Sequence, residues 1–504
     1  MRNMSSAAEW PINKPVPALL PIVLLSLVWG IGPALPALLD GHLLGHGFTD
    51  LYPSVWGLWA FSEAQPGLPN HTALLGHPTG MGYYYSSPIK GWLATPLIPL
   101  FGLTATWNGL LLSSRVATIV CAWRAGLAWN LGRNGAVAAA ALYGCSPFFH
   151  GYAVEGIVEG TDGWTLALWV WAIGAQRHRL ASIPFALTLL SSWYLGMAAC
   201  LLAALATLRD KRTLWSGLGF ALAAPALFQF ASAFPGAAPI DADVRAAMGA
   251  TIGLPKPGFS EGLNPFAINA YIGFIAASAA LASRTRWAAL AAIPALLSLG
   301  IGPVYELPVA ELVRFPYRWH AATLVLLAPA VAITANRLRW GIVLGPLIAL
   351  EGLVLSPVEP VIPGAEDSIP EYASHVTGPV LNIPGPLAMP PGVTNRSRLR
   401  AKYLMHHQTA HGQPSAWTPD FNGVGTAPSP HAQSLQAFSR FDPLSPKGPE
   451  STPASPRELG VEVVVVHGRE LGAKATQSAL EFLKQDDWSI VHESDRLWVL
   501  KATE

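Results

Sequence analysis

The chain has 504 residues, 51% hydrophobic and 12% charged, with a net charge of +1 and a mean hydropathy of +0.36. Soluble domains carry about 25% charged residues, so most of this chain belongs in lipid, and the near-zero charge without any basic run excludes a nucleic-acid partner. Its three cysteines, Cys121, Cys145 and Cys200, all lie in apolar segments and read as small buried hydrophobes, with neither zinc nor disulfide spacing.

The first apolar segment, residues 18–39, follows Arg2 and Lys14. It is longer than the ~7–15-residue apolar core of a signal peptide and runs straight on into the chain, which predicts an uncleaved first span. Next comes a polar, aromatic loop, residues 40–88, holding Asp40, Asp50, Glu63, His42, His46, His71, His77, Trp56, Trp59 and the run Tyr83, Tyr84, Tyr85. A loop this long, rich in acids and aromatics, is costly unless it serves a function, and we read it as the active-site loop of a membrane enzyme. Residues 91–102 are too short to span and predict an interfacial or re-entrant helix. Ten further apolar segments follow, at 105–127, 136–149, 164–174, 183–193, 195–208, 214–233, 265–282, 287–303, 319–335 and 341–355. Several are shorter than the ~20 residues that cross a hydrocarbon core, so the expectation is an α-helical polytopic membrane protein of about eleven spans, some of them half-spans.

The basic residues supply an independent check. They cluster at Arg124/Arg133, Arg177/Arg179, Arg209/Lys211/Arg212, Arg284/Arg286 and Arg337/Arg339, with two segments between each cluster and the next. All therefore fall on the side of Arg2 and Lys14, as the positive-inside bias requires. This predicts a cytoplasmic N-terminus, with residues 40–104, 150–163, 235–264, 304–318 and everything after 356 outside. Residues 1–356 form the transmembrane domain. Residues 357–504 form an extracytoplasmic C-terminal domain: 357–458 loop-rich, then a small α/β unit over 459–504 with strands at 461–466, 488–491 and 497–501 and a helix at 474–484.

Three outer stretches could carry chemistry. Asp50 precedes LYPSVWGLW and suits a general base acting on a sugar hydroxyl, since burial beside aromatics raises a carboxylate's basicity; a helix N-cap is the equally weighted plain reading. The second outer loop offers His150, Glu155, Glu159 and Asp162. Glu155 and Glu159 would share a face if helical and could then hold a divalent cation or bind a substrate's hydroxyls, whereas the plain reading is a solvated acidic turn with Asp162 capping the next span. Arg314 and Arg318, an outer pair against a membrane boundary, suit a phosphate clamp or a lipid-headgroup anchor. Trp56 and Tyr84 join the substrate-binding candidates, while Arg115, deep in a span, reads as structural.

The stretches TDLYPSVWGLWAF, SSPIKGWLATPLIPLFG, SPFFHGYAVEG, SSWYLG, LVRFPYRW, GPVLNIPG, YLMHHQTAHGQPSAW and LGVEVVVVHG, in that order, resemble a bacterial group of GT-C-type membrane glycosyltransferases over nearly the whole chain. The resemblance implies a helical membrane enzyme of the bacterial inner (plasma) membrane whose first outer loop carries a catalytic Asp. Its donor would be a polyprenyl-phosphate-linked sugar, its acceptor a glycan or lipid, and the anomeric carbon would be inverted. On this chain Asp50 would be the base, with Asp40 the fallback. Glu155 and Glu159 would stand for the second-loop acids, and Arg314 and Arg318 would hold the leaving phosphate. Two rival readings stand beside it: a transporter of lipid-linked sugar or polysaccharide, and a catalytically inactive GT-C-like envelope assembly protein.

Overall fold

The computed structural model describes residues 19–47, 49–67, 70–233, 266, 269–300, 305, 316–383, 394–416 and 455–503. Helices form within every one of the predicted apolar segments, some shorter and some longer than expected. The first, α1 (Leu19–Leu39), is followed by the outer-loop helices α2 (Leu51–Trp59) and α3 (Pro88–Phe101). The bundle continues through α4 (Leu103–Ala128), α5 (Gly132–Gly144), α6 (Pro147–Val154), α7 (Gly163–Gly174), α8 (Ser182–Ser191), α9 (Trp193–Arg209) and α10 (Lys211–Ala233). It closes with α11 (Phe274–Ser283), α12 (Arg286–Ser298), α13 (Pro316–Arg337) and α14 (Gly341–Val354). Among the described residues four helices, α1, α4, α10 and α13, are long and apolar enough to cross a membrane. The remaining apolar segments form shorter helices of 8–17 residues, in keeping with the expectation that some of the segments are half-spans.

The first span is itself broken. Residues Ser26–Ile31 are π-helical and Gly32–Ala34 form a 3₁₀ turn before the α-helix resumes. Pro33 has no N–H, so the carbonyl of Trp29, four residues back, loses its helical donor in a setting where no bulk water can replace it. Arg115 of α4 takes over. Its guanidinium donates to the Trp29 carbonyl and, through Nε, to the Gly30 carbonyl at 2.9 Å. The same group donates at 3.0 Å to Nδ1 of His150, which leaves the His150 proton on Nε2, 2.8 Å from the Glu359 carbonyl. The structural reading of Arg115 thus holds, with carbonyls and an imidazole in place of an ion pair.

A second intrabundle polar group works in the same way. Glu351 of α14 accepts from Ile275 N (2.9 Å), Phe274 N and the Tyr271 hydroxyl (3.1 Å), capping the N-terminus of α11.

The C-terminal part builds on a four-stranded sheet. Strands β1 (Leu43–Leu44), β2 (His71–Thr72), β3 (Met81–Gly82) and β4 (Gly364–Ala365) form two small ladders on the outer loops, β1 pairing β4 and β2 pairing β3. The main sheet runs in the order β5-β6-β8-β7, from β5 (Val380–Ile383), β6 (Val463–His467), β7 (Trp488–Ser494) and β8 (Leu497–Ala502); β5 and β6 are parallel and the rest antiparallel. Here 357–458 departs from the loop-rich expectation: it supplies β5 and an 18-residue helix, α15 (Thr394–His411). A polar helix with few apolar positions leaves little periodicity in the sequence; it holds its place through specific contacts. Gln408 of α15 accepts from Trp56 Nε1 (2.8 Å) and donates to the Leu74 and Gln413 carbonyls (2.6 and 2.8 Å), which fastens α15 onto α2.

Replacing Arg115 by Leu orphans two buried carbonyls, each worth about 1–3 kcal/mol. The expected outcome is a lower thermal midpoint of the detergent-purified protein and poorer accumulation in membranes; an unchanged midpoint in Arg115→Leu would remove this account of the broken span.

Candidate active site

The first outer loop lies directly along the second. His46 N donates to the Val154 carbonyl at 2.8 Å, Thr49 Oγ1 to the Glu155 carbonyl at 2.5 Å, and Val158 N to Ser54 Oγ at 3.3 Å. The close approach depends on Gly156, whose φ of +64° ends the helical path after α6 and whose absent Cβ would lie 2.7 Å from Leu51 Cβ. The N-terminus of α2, with Asp50, is therefore seated over Glu155 and Gly156, and its next turn over Val158.

Three ion pairs line this contact, and they differ in burial. Lys90 and Asp162 are 3.4 Å apart, each side chain 2% exposed. Asp162 also accepts from Ser114 Oγ (2.7 Å), Trp164 Nε1 (3.2 Å) and Ser87 Oγ (3.3 Å). Burial pulls the Lys90 ammonium below its usual pKa, and Asp162 opposes that shift. Glu159 and Arg318 meet at 2.8 Å with side chains 23% and 5% exposed. The Arg318 guanidinium is packed among aromatic rings, 3.9 Å from the Tyr194 ring centre, 5.5 Å from Tyr317 and 5.7 Å from Tyr152, a cation–π cage that holds the charge where water cannot. The third pair, Asp50 with Lys402 of α15 at 2.9 Å, is the most open, its carboxylate 38% exposed. Asp50 and Glu159 are thus carboxylates of this contact that keep access to solvent while held by a cation.

No family profile and no curated protein matches the chain by sequence. Among solved structures it is similar to the arabinofuranosyltransferase AftD from Mycobacteria, with a TM-score of 0.51 and 15% identity, covering 97% of this chain and 39% of that one. It is also similar to the apo oligosaccharyltransferase of Archaeoglobus fulgidus, with a TM-score of 0.51 and 14% identity, covering 89% of this chain and 69% of that one. The chain has a GT-C-type fold. At these identities the likeness is one of architecture, and the roles of single residues rest on their own geometry.

Within the GT-C fold the residues singled out from the sequence separate into distinct settings. Asp50 precedes α2 but its side chain makes no cap hydrogen bond; the carboxylate turns to Lys402 instead and is 38% exposed, not buried as a raised basicity would require. Asp40 sits exposed at the end of α1 and bonds to none of the other candidates. Glu155 is fully buried and its Oε1 accepts from Phe266 N at 2.6 Å, while Glu159 faces Arg318. The shared helical face expected for these two acids does not form, because the chain leaves the helix at Glu155 and Gly156 turns it left-handed. One oxygen of each is held by a different partner, and among the described residues no group of three or more His, Cys, Asp or Glu is placed to hold a divalent cation. Three substrate-binding candidates are buried and packed against neighbouring groups. His150 is held by Arg115 and the Glu359 carbonyl, Trp56 is 0% exposed and fastens α15, and Tyr84 is packed against Trp193 and Phe230 with ring centres 6.2 and 5.3 Å away. Arg314 lies outside the described residues.

The sequence reading passed over Lys90, Tyr194 and Lys402. A single Lys in the otherwise apolar PIKGWLATPLIPLF carries a signal, since a charge there needs a partner. Nothing in the sequence pairs Lys402 with Asp50, some 350 residues away.

His406 of α15 stacks on Tyr52 of α2 with ring centres 4.8 Å apart, so the docking of α15 is expected to depend on pH. Burial pushes His411 down to about 4 and lowers His406 as well, against the opposing carboxylate of Asp367. Both favour the neutral form when docked, so the docked state keeps its full stability above the unfolded value of ~6.5 and loses it as pH falls toward 4. Protection factors of the α15 amides, taken relative to the intrinsic exchange rate at each pH, are expected to be higher at pH 7.5 than at pH 5, and the dependence should flatten in the His406→Gln/His411→Gln variant.

Proposed function

We propose that the chain is a membrane glycosyltransferase. It moves a sugar from a polyprenyl-phosphate donor to a glycan or lipid acceptor on the outer side of the bacterial inner membrane, with inversion at the anomeric carbon. The GT-C-type fold, shared with an arabinofuranosyltransferase and an oligosaccharyltransferase, supports the reaction class. The observation that carries the reading is the seating of Asp50 against the second outer loop, whose Glu159 is joined to Arg318.

In this reading an acceptor hydroxyl takes the place of Lys402 beside Asp50, which accepts its proton as the hydroxyl oxygen attacks the anomeric carbon. The bond from that carbon to the phosphate oxygen breaks, and its electron pair leaves with the lipid phosphate. Arg318, already desolvated and oriented by its tyrosine cage, offers N–H donors to the developing charge, with Glu159 holding the guanidinium in place. Arg314 is proposed as its companion. Lys402 brings α15 to the catalytic carboxylate, so the C-terminal part helps select the acceptor. A positioned general base contributes about 10²–10⁴-fold.

Proteoliposomes supplied with a panel of polyprenyl-phosphate sugars and membrane glycan acceptors test the assignment. Wild-type protein is expected to form a new glycosidic bond and Asp50→Asn to lose about 10²–10⁴-fold in rate while inserting and melting like wild type; a fully active Asp50→Asn would sink the role of this residue. Orientation has its own check: a periplasm-dependent reporter fused after residue 504 is expected to be active, and activity of a cytosol-dependent reporter there would reverse the proposed topology.

A further inference from the structure

A large cavity in the bundle lies away from the outer acids. It measures about 770 Å³, within the ~300–1,000 Å³ of ligand cavities, and is formed between α4, α5, α7, α9, α12 and α13. Ala125, Trp169, Leu205, Leu290 and Pro329 are typical of its wall. Three polar groups along that wall are engaged elsewhere: the Tyr143 hydroxyl donates to the Gly163 carbonyl at 3.0 Å, Trp129 Nε1 to the Val170 carbonyl at 2.9 Å, and Trp169 Nε1 to Ser216 Oγ at 3.1 Å. The wall is otherwise mostly apolar, so it offers a sugar or nucleotide few groups to bond to and water too little to fill it.

The exception is its rim, where Arg209 at the end of α9 and Arg286 at the start of α12 stand on separate elements. Several basic residues at this end of the bundle are already occupied. Arg212 pairs with Asp210, Arg337 donates to the Ser283 carbonyl, and Arg124, Arg177, Arg179 and Arg339 lie over tryptophan rings. Arg209 and Arg286 are exposed and have no such partner among the described residues. Their end of the bundle is remote from Arg318: Tyr194, which stacks on Arg318, and Arg209 are at opposite ends of α9, about 22 Å apart at ~1.5 Å rise per residue.

We propose that this cavity binds an anionic phospholipid of the leaflet opposite the outer acids, its acyl chain in the apolar wall and its phosphate between Arg209 and Arg286. The wall residues Leu202 to Leu208 on α9 extend about 9 Å at ~1.5 Å per residue, which suits part of a chain entering from one leaflet of a ~30 Å hydrocarbon core. Guanidinium pairs the phosphate oxygens, and the charge selects anionic over zwitterionic lipid. The site is separate from the proposed donor position, so it is a stabilising lipid site and does not depend on the glycosyl-transfer reading.

The test uses the full chain in nanodiscs of phosphatidylglycerol or phosphatidylcholine, with retained lipid counted by native mass spectrometry after transfer to detergent and thermal midpoints measured alongside. Wild type is expected to retain phosphatidylglycerol at least tenfold over phosphatidylcholine and to melt higher with it. Arg209→Gln/Arg286→Gln, which alters exposed side chains only, should abolish the preference, and Arg209→Lys/Arg286→Lys should keep part of it. Ala206→Phe, filling the cavity, should expel the lipid with both rim charges intact. Equal retention of the two lipids by wild type, a preference unchanged in the double Gln variant, or retention of polyprenyl phosphate in place of phosphatidylglycerol would each overturn the proposal.

Discussion

The end of the bundle that carries the two long loops is held together by one guanidinium. Arg115 reaches from α4 to the two carbonyls exposed where proline breaks the first span, and from there to His150 and on to the Glu359 carbonyl. One side chain thereby ties together the first span, α4, α6 and, through His150, the segment leading out of the last helix. A charged group so deep is expensive in an apolar setting, and it is tolerated because each of its three nitrogens donates to an acceptor. The break it stabilises also redirects α1, so that Asp40 and the strand Leu43–Leu44 arrive beside β4 and the first outer loop starts along the second.

The three outer ion pairs form a gradient. Lys90 with Asp162 is fully enclosed and further bonded by two serines and a tryptophan, so exchanging either partner would strand a buried charge. Arg318 is enclosed but its partner Glu159 is partly open, and Asp50 with Lys402 is the most open of the three. A substrate can compete for a charge only where some solvent already does. The buried pair thus has the character of a fixed pin, and the other two that of groups able to trade a protein partner for a ligand. Chemistry at this surface would use charges that are already oriented, with little reorganisation left to perform.

The C-terminal sheet and the membrane bundle meet through the same loop. Trp56, which the spacing in LYPSVWGLW puts on a helix face, spends its indole N–H on Gln408, and Tyr52 stacks on His406 with ring centres 4.8 Å apart. The helix carrying Asp50 is consequently clamped from both sides, by the second outer loop below and by α15 above. Its aromatic richness serves that clamp.

What the sequence by itself determined is whatever local composition controls. Apolar runs had to be helices in lipid, basic clusters marked one side of the bundle, and alternation and valine runs marked the strands around 463–467 and 497–502. Tertiary structure alone decided which charges meet. Glu155 and Glu159 looked like a helical pair until Gly156 took a left-handed turn, and Asp162 looked like a cap until Lys90 was packed against it. Lys402 found Asp50 from a helix whose polar sequence gave no sign of its position. The physical reason is that ion pairing in a desolvated site is set by three-dimensional proximity and by the accounting of every buried polar atom, and neither is written in the spacing of residues along the chain.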